Sequence, residues 1–300
     1  MEKTIATILS QHSNLLGKNA QAQRINVGFT NTIYNVNDKF IVKICSKESK
    51  ETGFAKEIDF YIANAGNIKI PKLFYADTSK KQVPYYYSIL EKVEGVTLYN
   101  VWHTFSEDQR EDIIRQLCDI VKEIHTVSGE KYDWVKYNQE AFIPLFEKAK
   151  ENNLFSAIEI SLMEKTCSLF EKYLPSDEFV LVHNDLHFDN IIYNDGKIKL
   201  IDFERSMVAP PDFELDILYR MVRKPWKFAS EESEEYTSLD QYENIMGYVQ
   251  KYYPQLTDTP HLYQRLAIYD MIYFLKQYVN APQYDDLRCD VLAAAENILK

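Results

Sequence analysis

The chain has 300 residues, of which 46% are hydrophobic and 26% are charged, the balance of an ordinary globular protein. This composition excludes a disordered, collagen-like or coiled-coil chain. Acidic residues number 45 against 34 basic ones, so the formal net charge is −11. A general nucleic-acid binder needs a basic face to neutralise phosphates, so no nucleic-acid partner is expected. An acidic surface suits small ligands that carry positive charge.

Membrane and export signals are missing from the pattern. The longest apolar stretches, such as Val180-Leu181-Val182, are far shorter than the roughly 18 residues that span a bilayer. The start, Met1-Glu2-Lys3-Thr4, lacks the basic and then apolar order of a signal peptide. The four cysteines form no CxxC pair, which fits reduced thiols in a reducing compartment. The sequence therefore predicts a cytoplasmic protein with no membrane partner.

The first third of the chain combines β-strand patterns with a helical one. Asn37-Asp38 supplies a turn between two strand patterns, and Gly66 ends a helical repeat. In chain order, the pattern predicts a helix over 3–12, strands over 23–36 and 40–44, a helix over 56–65, and strands over 73–75 and 85–90.

The rest of the chain is mainly helical, with one β-rich interruption at residues 179–202. We therefore predict an α+β fold with a small β-rich N-terminal lobe, 1–94, and a large mainly helical C-terminal lobe, 95–300. A connection near Glu91 to Gly95 joins them. The predicted helices cover 106–125, 140–152, 157–173, 213–223, 238–253, 261–279 and 284–299.

The β-rich interruption carries the polar residues best suited to chemistry. Asn194-Asp195-Gly196-Lys197 lies between two apolar strand patterns and predicts a tight hairpin. Such a hairpin brings Asn190 and Asp202 together at its open end, with Asp185 on the loop just before. Oxygen ligands from Asn and Asp suit Mg²⁺, and a further carboxylate can accept a proton from a hydroxyl. We expect a metal site at Asn190 and Asp202 and a proton acceptor at Asp185.

Two other interpretations of this segment exist. His183, Asp185 and His187 could bind a metal, but histidines four residues apart share a face only on a helix, and a strand precedes them. Taken singly, Asp185 and Asp202 could be turn residues and Asn190 the start of a strand. Their joint spacing around the hairpin favours the functional interpretation.

The segment His183-Asn184-Asp185-Leu186-His187-Phe188-Asp189-Asn190 resembles the catalytic loop of the aminoglycoside phosphotransferase and choline-kinase family. These are small-molecule relatives of the protein kinases, and the loop pattern is close to H-G/N-D-x-x-x-x-N. Ile201-Asp202-Phe203 resembles the family's metal-binding segment. The resemblance covers about residues 22–225. It implies a protein-kinase-like two-lobe fold and Mg²⁺-dependent transfer of the γ-phosphoryl group of ATP or GTP to a hydroxyl of a small molecule.

The resemblance also implies nucleotide-binding residues in the first lobe. Lys43 would contact the α and β phosphates, and Glu57 would hold that lysine. The other implied residues are Gly28 and Thr30 in the phosphate-covering loop Gly28-Phe29-Thr30-Asn31, with main-chain groups of Glu91 and Val93 for the purine. Lys43 as an ordinary strand lysine, Glu57 as a charge at a helix start and the Gly28 loop as a β-turn are the alternatives.

The acceptor is less well defined. The resemblance allows an aminoglycoside, an amino alcohol such as choline, or another metabolite, and the net charge of −11 favours a cationic one. Asp216 matches a family residue that braces the catalytic loop. The acidic run Glu231 to Glu235 lies where the family forms its acceptor pocket, but a solvated helix start is the favoured interpretation. A nucleotide-binding pseudokinase is a further alternative. A protein kinase is disfavoured, because Glu204 stands where those enzymes carry Gly.

Overall fold

The computed structural model describes residues 1–25, 31–67, 69–229 and 234–300. The chain forms two compact units, one of residues 1–120 with 187–207 and one of residues 121–186 with 208–300. This division differs from the predicted lobes, because the hairpin in 187–207 and the segment 95–120 pack with the first unit. The predicted lobes, 1–94 and 95–300, stay a prediction about the functional division of the chain.

The first unit begins with helices α1 (Glu2–Gln11) and α2 (Ser13–Leu16). Its strands are β1 (Ala22–Ile25), β2 (Thr32–Val36), β3 (Phe40–Ile44), β4 (Leu73–Asp77) and β5 (Tyr87–Glu91). They form a five-stranded antiparallel sheet in the order β1-β2-β3-β5-β4. Asn37 and Asp38 join two strands with φ of 54° and 59°, the left-handed pair typical of a tight hairpin turn. Ile5 and Ile8 of helix α1 pack in one apolar cluster with the sheet.

Helix α3 (Glu51–Ala63) crosses between β3 and β4 in the chain. It begins five residues before the predicted 56–65, because Phe54 is buried against Cys45 and Ile58 and extends the apolar face by a turn. The helix ends at Ala63, and Gly66 follows with a left-handed φ of 98°. Its buried face therefore continues from Phe54 to Tyr61.

The predicted hairpin is present, with β8 (Ile191–Asn194) paired to β9 (Lys197–Leu200). Asp195 and Gly196 form its turn with φ of 43° and 79°. A third strand, β6 (Val96–Thr97), pairs with β8 on the other side. Gly95 has φ of 130°, and a Cβ there would lie 2.3 Å from the carbonyl oxygen of Tyr193, so this close approach requires glycine. Helices α4 (Leu98–Val101) and α5 (Glu107–Ile124) follow.

The second unit is mainly helical, with a two-stranded sheet of β7 (Val180–Val182) and β10 (Met207–Ala209). The predicted helix 157–173 is broken in two, and the predicted 140–152 starts earlier, where Asp133 caps the helix by accepting from the Lys136 amide. Among the described residues, no helix has the length and apolarity to cross a membrane. The helices are α6 (Trp134–Glu151), α7 (Ala157–Cys167), α8 (Phe170–Tyr173), α9 (Leu215–Arg223), α10 (Ile245–Tyr252), α11 (Pro254–Thr257), α12 (Leu262–Asn280) and α13 (Asp285–Ile298).

Candidate active site

Lys43 lies at the centre of an ionic cluster in the first unit. It sits on the central strand β3, and only 5% of its surface is exposed. The Nζ atom lies 2.8 Å from Glu57 Oε2, 3.1 Å from Asp202 Oδ1 and 2.9 Å from Glu204 Oε1. The predicted pair of Lys43 and Glu57 is thus in contact. Asp202, which follows the second strand of the hairpin, contacts the same lysine.

The cluster holds three carboxylates around one ammonium group. Burial raises the pKa of Glu57 to about 7, with Asp202 and Glu204 adding to the rise and Lys43 opposing it. Burial lowers the pKa of Lys43, but the three carboxylates outweigh it and hold that pKa well above its ordinary value. The ammonium is therefore charged, and the cluster keeps an excess of negative charge that a cation would neutralise.

Glu204 is a site residue that the sequence reasoning missed. It served there only to separate small-molecule kinases from protein kinases, yet its carboxylate contacts Lys43 and accepts a hydrogen bond from the Asn31 side chain. Its place directly after Asp202-Phe203 was the available signal. Gly28 and Thr30 lie outside the described residues, so their predicted role stays a prediction.

Helix α3 supports the cluster in two ways: it carries Glu57, and it carries Phe60, which packs on the residue after Asp202. Glu57 and Phe60 lie three residues apart and so share a face of the helix. The Phe60 ring stacks on Phe203, with centroids 3.9 Å apart and planes 14° apart, and Tyr61 meets the same ring edge-on. Asp202 has a left-handed φ of 63°, a conformation that Asp tolerates better than most residues. The stacking of Phe203 on Phe60 fixes the backbone at this bend, and the bend places the Asp202 carboxylate beside Lys43.

We expect Phe203→Ala to lower the free energy of unfolding by about 3 to 5 kcal/mol, the usual cost of removing a fully buried phenyl ring. Urea unfolding followed by circular dichroism measures this change. Ile62→Ala is the control, because Ile62 lies on α3, the helix that packs on Phe203, but has 62% of its surface exposed and should change the value by less than about 1 kcal/mol. Equal losses in the two variants would contradict the packing role of Phe203.

Asn190 lies at the open end of the hairpin, as predicted. It ends a 3-10 turn (Phe188–Asn190) and is 6% exposed. Its carbonyl oxygen accepts from the Ile201 amide at 3.0 Å, which places it beside the residue before Asp202. The side-chain amide nitrogen of Asn190, Nδ2, lies 3.1 Å from His187 Nε2.

Hard oxygen donors suitable for a divalent cation are concentrated around Asp202. Carboxylate oxygens of Glu57, Asp202 and Glu204 all lie within 4.8 Å of one another. Glu57 is buried on Lys43, whereas the side chain of Asp202 is 42% exposed. Asp202 is therefore the most accessible donor, and the donor chemistry fits Mg²⁺.

The predicted purine contacts fall at the end of β5. Glu91 pairs with Phe40 across the sheet, and its side chain accepts from Lys199 Nζ at 2.8 Å and from the Lys72 amide at 3.1 Å. Val93 is half-buried two residues further on. The main-chain contacts of Glu91 and Val93 with a nucleotide stay predictions.

The loop that carries Asp185 belongs to the second unit and is held by a buried carboxylate. Glu214 accepts from the His183 amide at 2.8 Å and from the Asn184 amide at 3.0 Å. The Asp185 amide donates to His183 Nδ1 at 3.1 Å. Glu214 thus braces this loop, two residues before the Asp216 to which the resemblance assigned that role, and the Asp216 carboxylate pairs with Arg220.

A buried ion pair fixes the turn that carries Glu214. Asp212 lies in the same 3-10 turn (Pro211–Glu214), and Arg265 donates to both of its carboxylate oxygens at 2.8 Å. The hydroxyl of Tyr269 adds a third hydrogen bond at 2.9 Å. A bidentate pair of this kind is rigid, so it holds the backbone of the turn in place and keeps the Glu214 carboxylate next to the loop amides.

Solved structures with the same fold include aminoglycoside phosphotransferases. The streptomycin–ATP complex of APH(2″)-IIa matches with a TM-score of 0.71 and 17% identity, covering 99% of this chain and 98% of that one. ADP-bound APH(2″)-Ib matches at 0.67 and 16%, with 97% of each chain covered. A protein of Thermobifida fusca provisionally named a fructosamine-3-kinase matches at 0.64 and 13%, covering 97% and 98%. These likenesses confirm the predicted protein-kinase-like α+β fold.

The comparison with curated proteins found no match. A family model described as the phosphotransferase enzyme family matches residues 21–248, more than half of the chain. The matched segment contains Lys43, Asp185 and Asp202. The resemblance inferred from the catalytic-loop pattern is confirmed, and the chain belongs to the phosphotransferase enzyme family.

Proposed function

We propose that this phosphotransferase moves the γ-phosphoryl group of ATP or GTP to a hydroxyl of a small cationic molecule, with Mg²⁺ as cofactor. The observation that carries the proposal is the cluster in which buried Lys43 and Glu57 meet the more accessible Asp202. A charged lysine that is held in place on a central strand is suited to bind nucleotide phosphates, because its position needs no reorganisation. The solved structures named for ATP and ADP complexes support a nucleotide donor.

The excess of negative charge in the cluster supports a divalent cation. Asp202 and Asn190 would hold Mg²⁺, and Glu204 is a further carboxylate within reach of the same position. Bound Mg²⁺ supplies charge neutralisation to the phosphates, which is the main electrostatic need of phosphoryl transfer.

Asp185 is the proposed proton acceptor. The acceptor hydroxyl oxygen forms a bond to the γ-phosphorus, the bond from that phosphorus to the β–γ bridging oxygen breaks, and the hydroxyl proton passes to the Asp185 carboxylate. The nucleoside diphosphate leaves with the bridging oxygen. The amides of His183 and Asn184 donate to Glu214, and the amide of Asp185 donates to His183 Nδ1. The backbone of Asp185 is therefore fixed before substrate binds.

A positively charged acceptor agrees with the net charge of −11. The solved structures with the same fold are named for streptomycin, gentamicin and fructosamine, which are amine-bearing compounds. Aminoglycosides, amino alcohols such as choline, and fructosamines are therefore the first acceptors to test.

The deciding experiment measures nucleotide consumption with Mg·ATP and Mg·GTP against a panel of aminoglycosides, amino alcohols, fructosamines and neutral sugars. We expect stimulation by at least one amine-bearing member and formation of its phosphate ester. Stimulation by neutral sugars alone would contradict the cationic acceptor. Tight Mg·ATP binding without stimulation by any member would favour the nucleotide-binding pseudokinase.

We expect Lys43→Met to lower Mg·ATP affinity at least about tenfold, because a charge-assisted hydrogen bond contributes about 1.5 to 3 kcal/mol. It should also destabilise the fold by about 3 kcal/mol, since a buried charge loses its partner. The double variant Lys43→Met/Glu57→Leu should regain the stability but not the affinity. Calorimetric titration and urea unfolding measure the two quantities.

Lys39→Met is the matched control for this pair, because Lys39 is exposed next to the start of the same strand. It should leave both affinity and stability close to those of the parent. A double variant that binds Mg·ATP as tightly as the parent would show that Lys43 has only a structural role.

A further inference from the structure

The carboxylate that holds the Asp185 loop has a third partner, His125. This histidine directly follows helix α5, and its Nε2 lies 3.1 Å from Glu214 Oε2. The His125 side chain is 3% exposed and that of Glu214 is fully buried. Sequence reasoning did not single out either residue. The pair is a buried contact between the end of α5 and the turn before α9.

Hydrogen-bond chemistry fixes the direction of this contact. Burial raises the pKa of Glu214, but hydrogen bonds from His125 and the His183 amide, together with the electrostatic interaction with both histidines, lower it below its ordinary value. An ionised carboxylate only accepts, so His125 Nε2 carries the hydrogen and donates. The other ring nitrogen, Nδ1, lies 3.0 Å from the Tyr253 hydroxyl. With partners on both nitrogens, the ring cannot turn without losing a buried hydrogen bond.

The carboxylate in turn determines the loop conformation. Its two oxygens accept from the consecutive amides of His183 and Asn184. Asn184 has a left-handed φ of 57°, a conformation that is uncommon for residues other than glycine and that Asn adopts more readily than most. This left-handed residue directly precedes Asp185. A rotation of the Glu214 carboxylate would release one of the two amides and let this bend relax.

We propose that His125 is a positioning residue for phosphoryl transfer: by donating from Nε2 it fixes the Glu214 carboxylate, and so the backbone that places Asp185. The proposal rests on the role of Asp185 in the proposed function. A displacement of about 1 Å at a reacting group costs about a hundredfold in rate. Loss of the His125 contact should therefore lower kcat while leaving nucleotide binding, which is assigned to residues of the first unit, unchanged.

Two amide variants separate this role from simple packing. His125→Gln places an NH₂ group near the position of Nε2 and can still donate to Glu214. His125→Asn is one methylene shorter, so its amide corresponds to Nδ1 and does not reach that carboxylate. We expect kcat within about threefold of the parent for His125→Gln and at least about tenfold lower for His125→Asn, with the KM for Mg·ATP unchanged in both. Thermal denaturation gives the folded fraction that normalises each kcat.

Amide hydrogen exchange of the nucleotide-free protein is an independent readout. The amides of residues 183–185 should exchange at least tenfold faster in His125→Asn than in the parent, while amides in β3 and α3 keep their rates. Tyr253→Phe is a milder variant that removes only the hydroxyl on Nδ1. It should raise loop exchange and lower kcat by about two- to fivefold, which keeps the test usable if His125→Asn does not fold.

The exchange and kinetic measurements can contradict different parts of the proposal. Equal loop exchange and equal kcat in the Gln and Asn variants would overturn the positioning role. Faster loop exchange in His125→Asn with unchanged kcat would overturn its importance for transfer. If the parent shows no transfer to any acceptor, the proposed function fails instead, and the exchange experiment still decides whether His125 holds the loop.

Discussion

Asp202→Asn is expected to remove Mg²⁺-dependent nucleotide binding and to lower turnover at least about a hundredfold, while the fold stays intact. Charge stabilisation by a metal ion is worth several kcal/mol, and about 1.36 kcal/mol corresponds to a factor of ten. The substitution keeps a side-chain oxygen but removes the charge of the most accessible carboxylate in the cluster. Asn also tolerates the left-handed φ of 63° at this position, whereas Ala would add backbone strain.

Asp195→Asn is the matched control for this experiment. Asp195 has a left-handed φ of 43° in the same hairpin, but it is exposed in the turn at the opposite end. The measurements are calorimetric titration of ATP with and without Mg²⁺, and steady-state turnover with a working acceptor. If Asp202→Asn binds Mg·ATP and turns over like Asp195→Asn, the metal assignment is wrong.

The hairpin shows what the sequence can predict. Asn194-Asp195-Gly196-Lys197 forms a turn whose backbone conformation only a few residue types adopt, so its place can be read from four residues. Strand pairing then determines that Asn190 and Asp202 approach the same end. The contact of Lys43 with Glu57 was predicted by family resemblance instead, since no local rule links a strand residue to a helix residue.

The contacts of Glu204 and Glu214 could not be predicted in the same way. Each carboxylate meets groups far away in the chain, and the sequence around it specifies only that it is acidic. Glu214 lies in the 3-10 turn that precedes α9, whereas Asp216, to which the resemblance assigned the brace, lies two residues later in the helix, and a shift of two residues moves a side chain to another face. Side-chain direction near a helix start depends on such turns, and these leave little trace in apolar periodicity.

Asp185→Asn is expected to lower kcat at least about a hundredfold while leaving Mg·ATP affinity within a few-fold of the parent. A general base that also orients the acceptor hydroxyl typically contributes a factor of about 10² to 10⁴, or roughly 3 to 5.5 kcal/mol. Asn keeps the shape and a hydrogen-bonding group, but it loses the charge and the basic oxygen. The hydrogen bond to His183 Nδ1 is donated by the Asp185 backbone amide and does not use the Asp185 side chain, so the loop conformation should persist.

Asp189→Asn tests whether any carboxylate lost from this segment would have the same effect. Asp189 lies four residues further on and is half-buried, and its carboxylate lies 4.0 Å from His187 Nδ1. Its replacement should leave kcat within about fivefold, because no reacting proton is assigned to it. Steady-state turnover and calorimetric Mg·ATP titration of both variants separate three outcomes. A surviving kcat in Asp185→Asn means that another group takes the proton, and a collapse of Mg·ATP affinity means that Asp185 binds the metal. A loss of kcat alone, confined to Asp185→Asn, is the result that the different roles of Asp185 and Asp202 require.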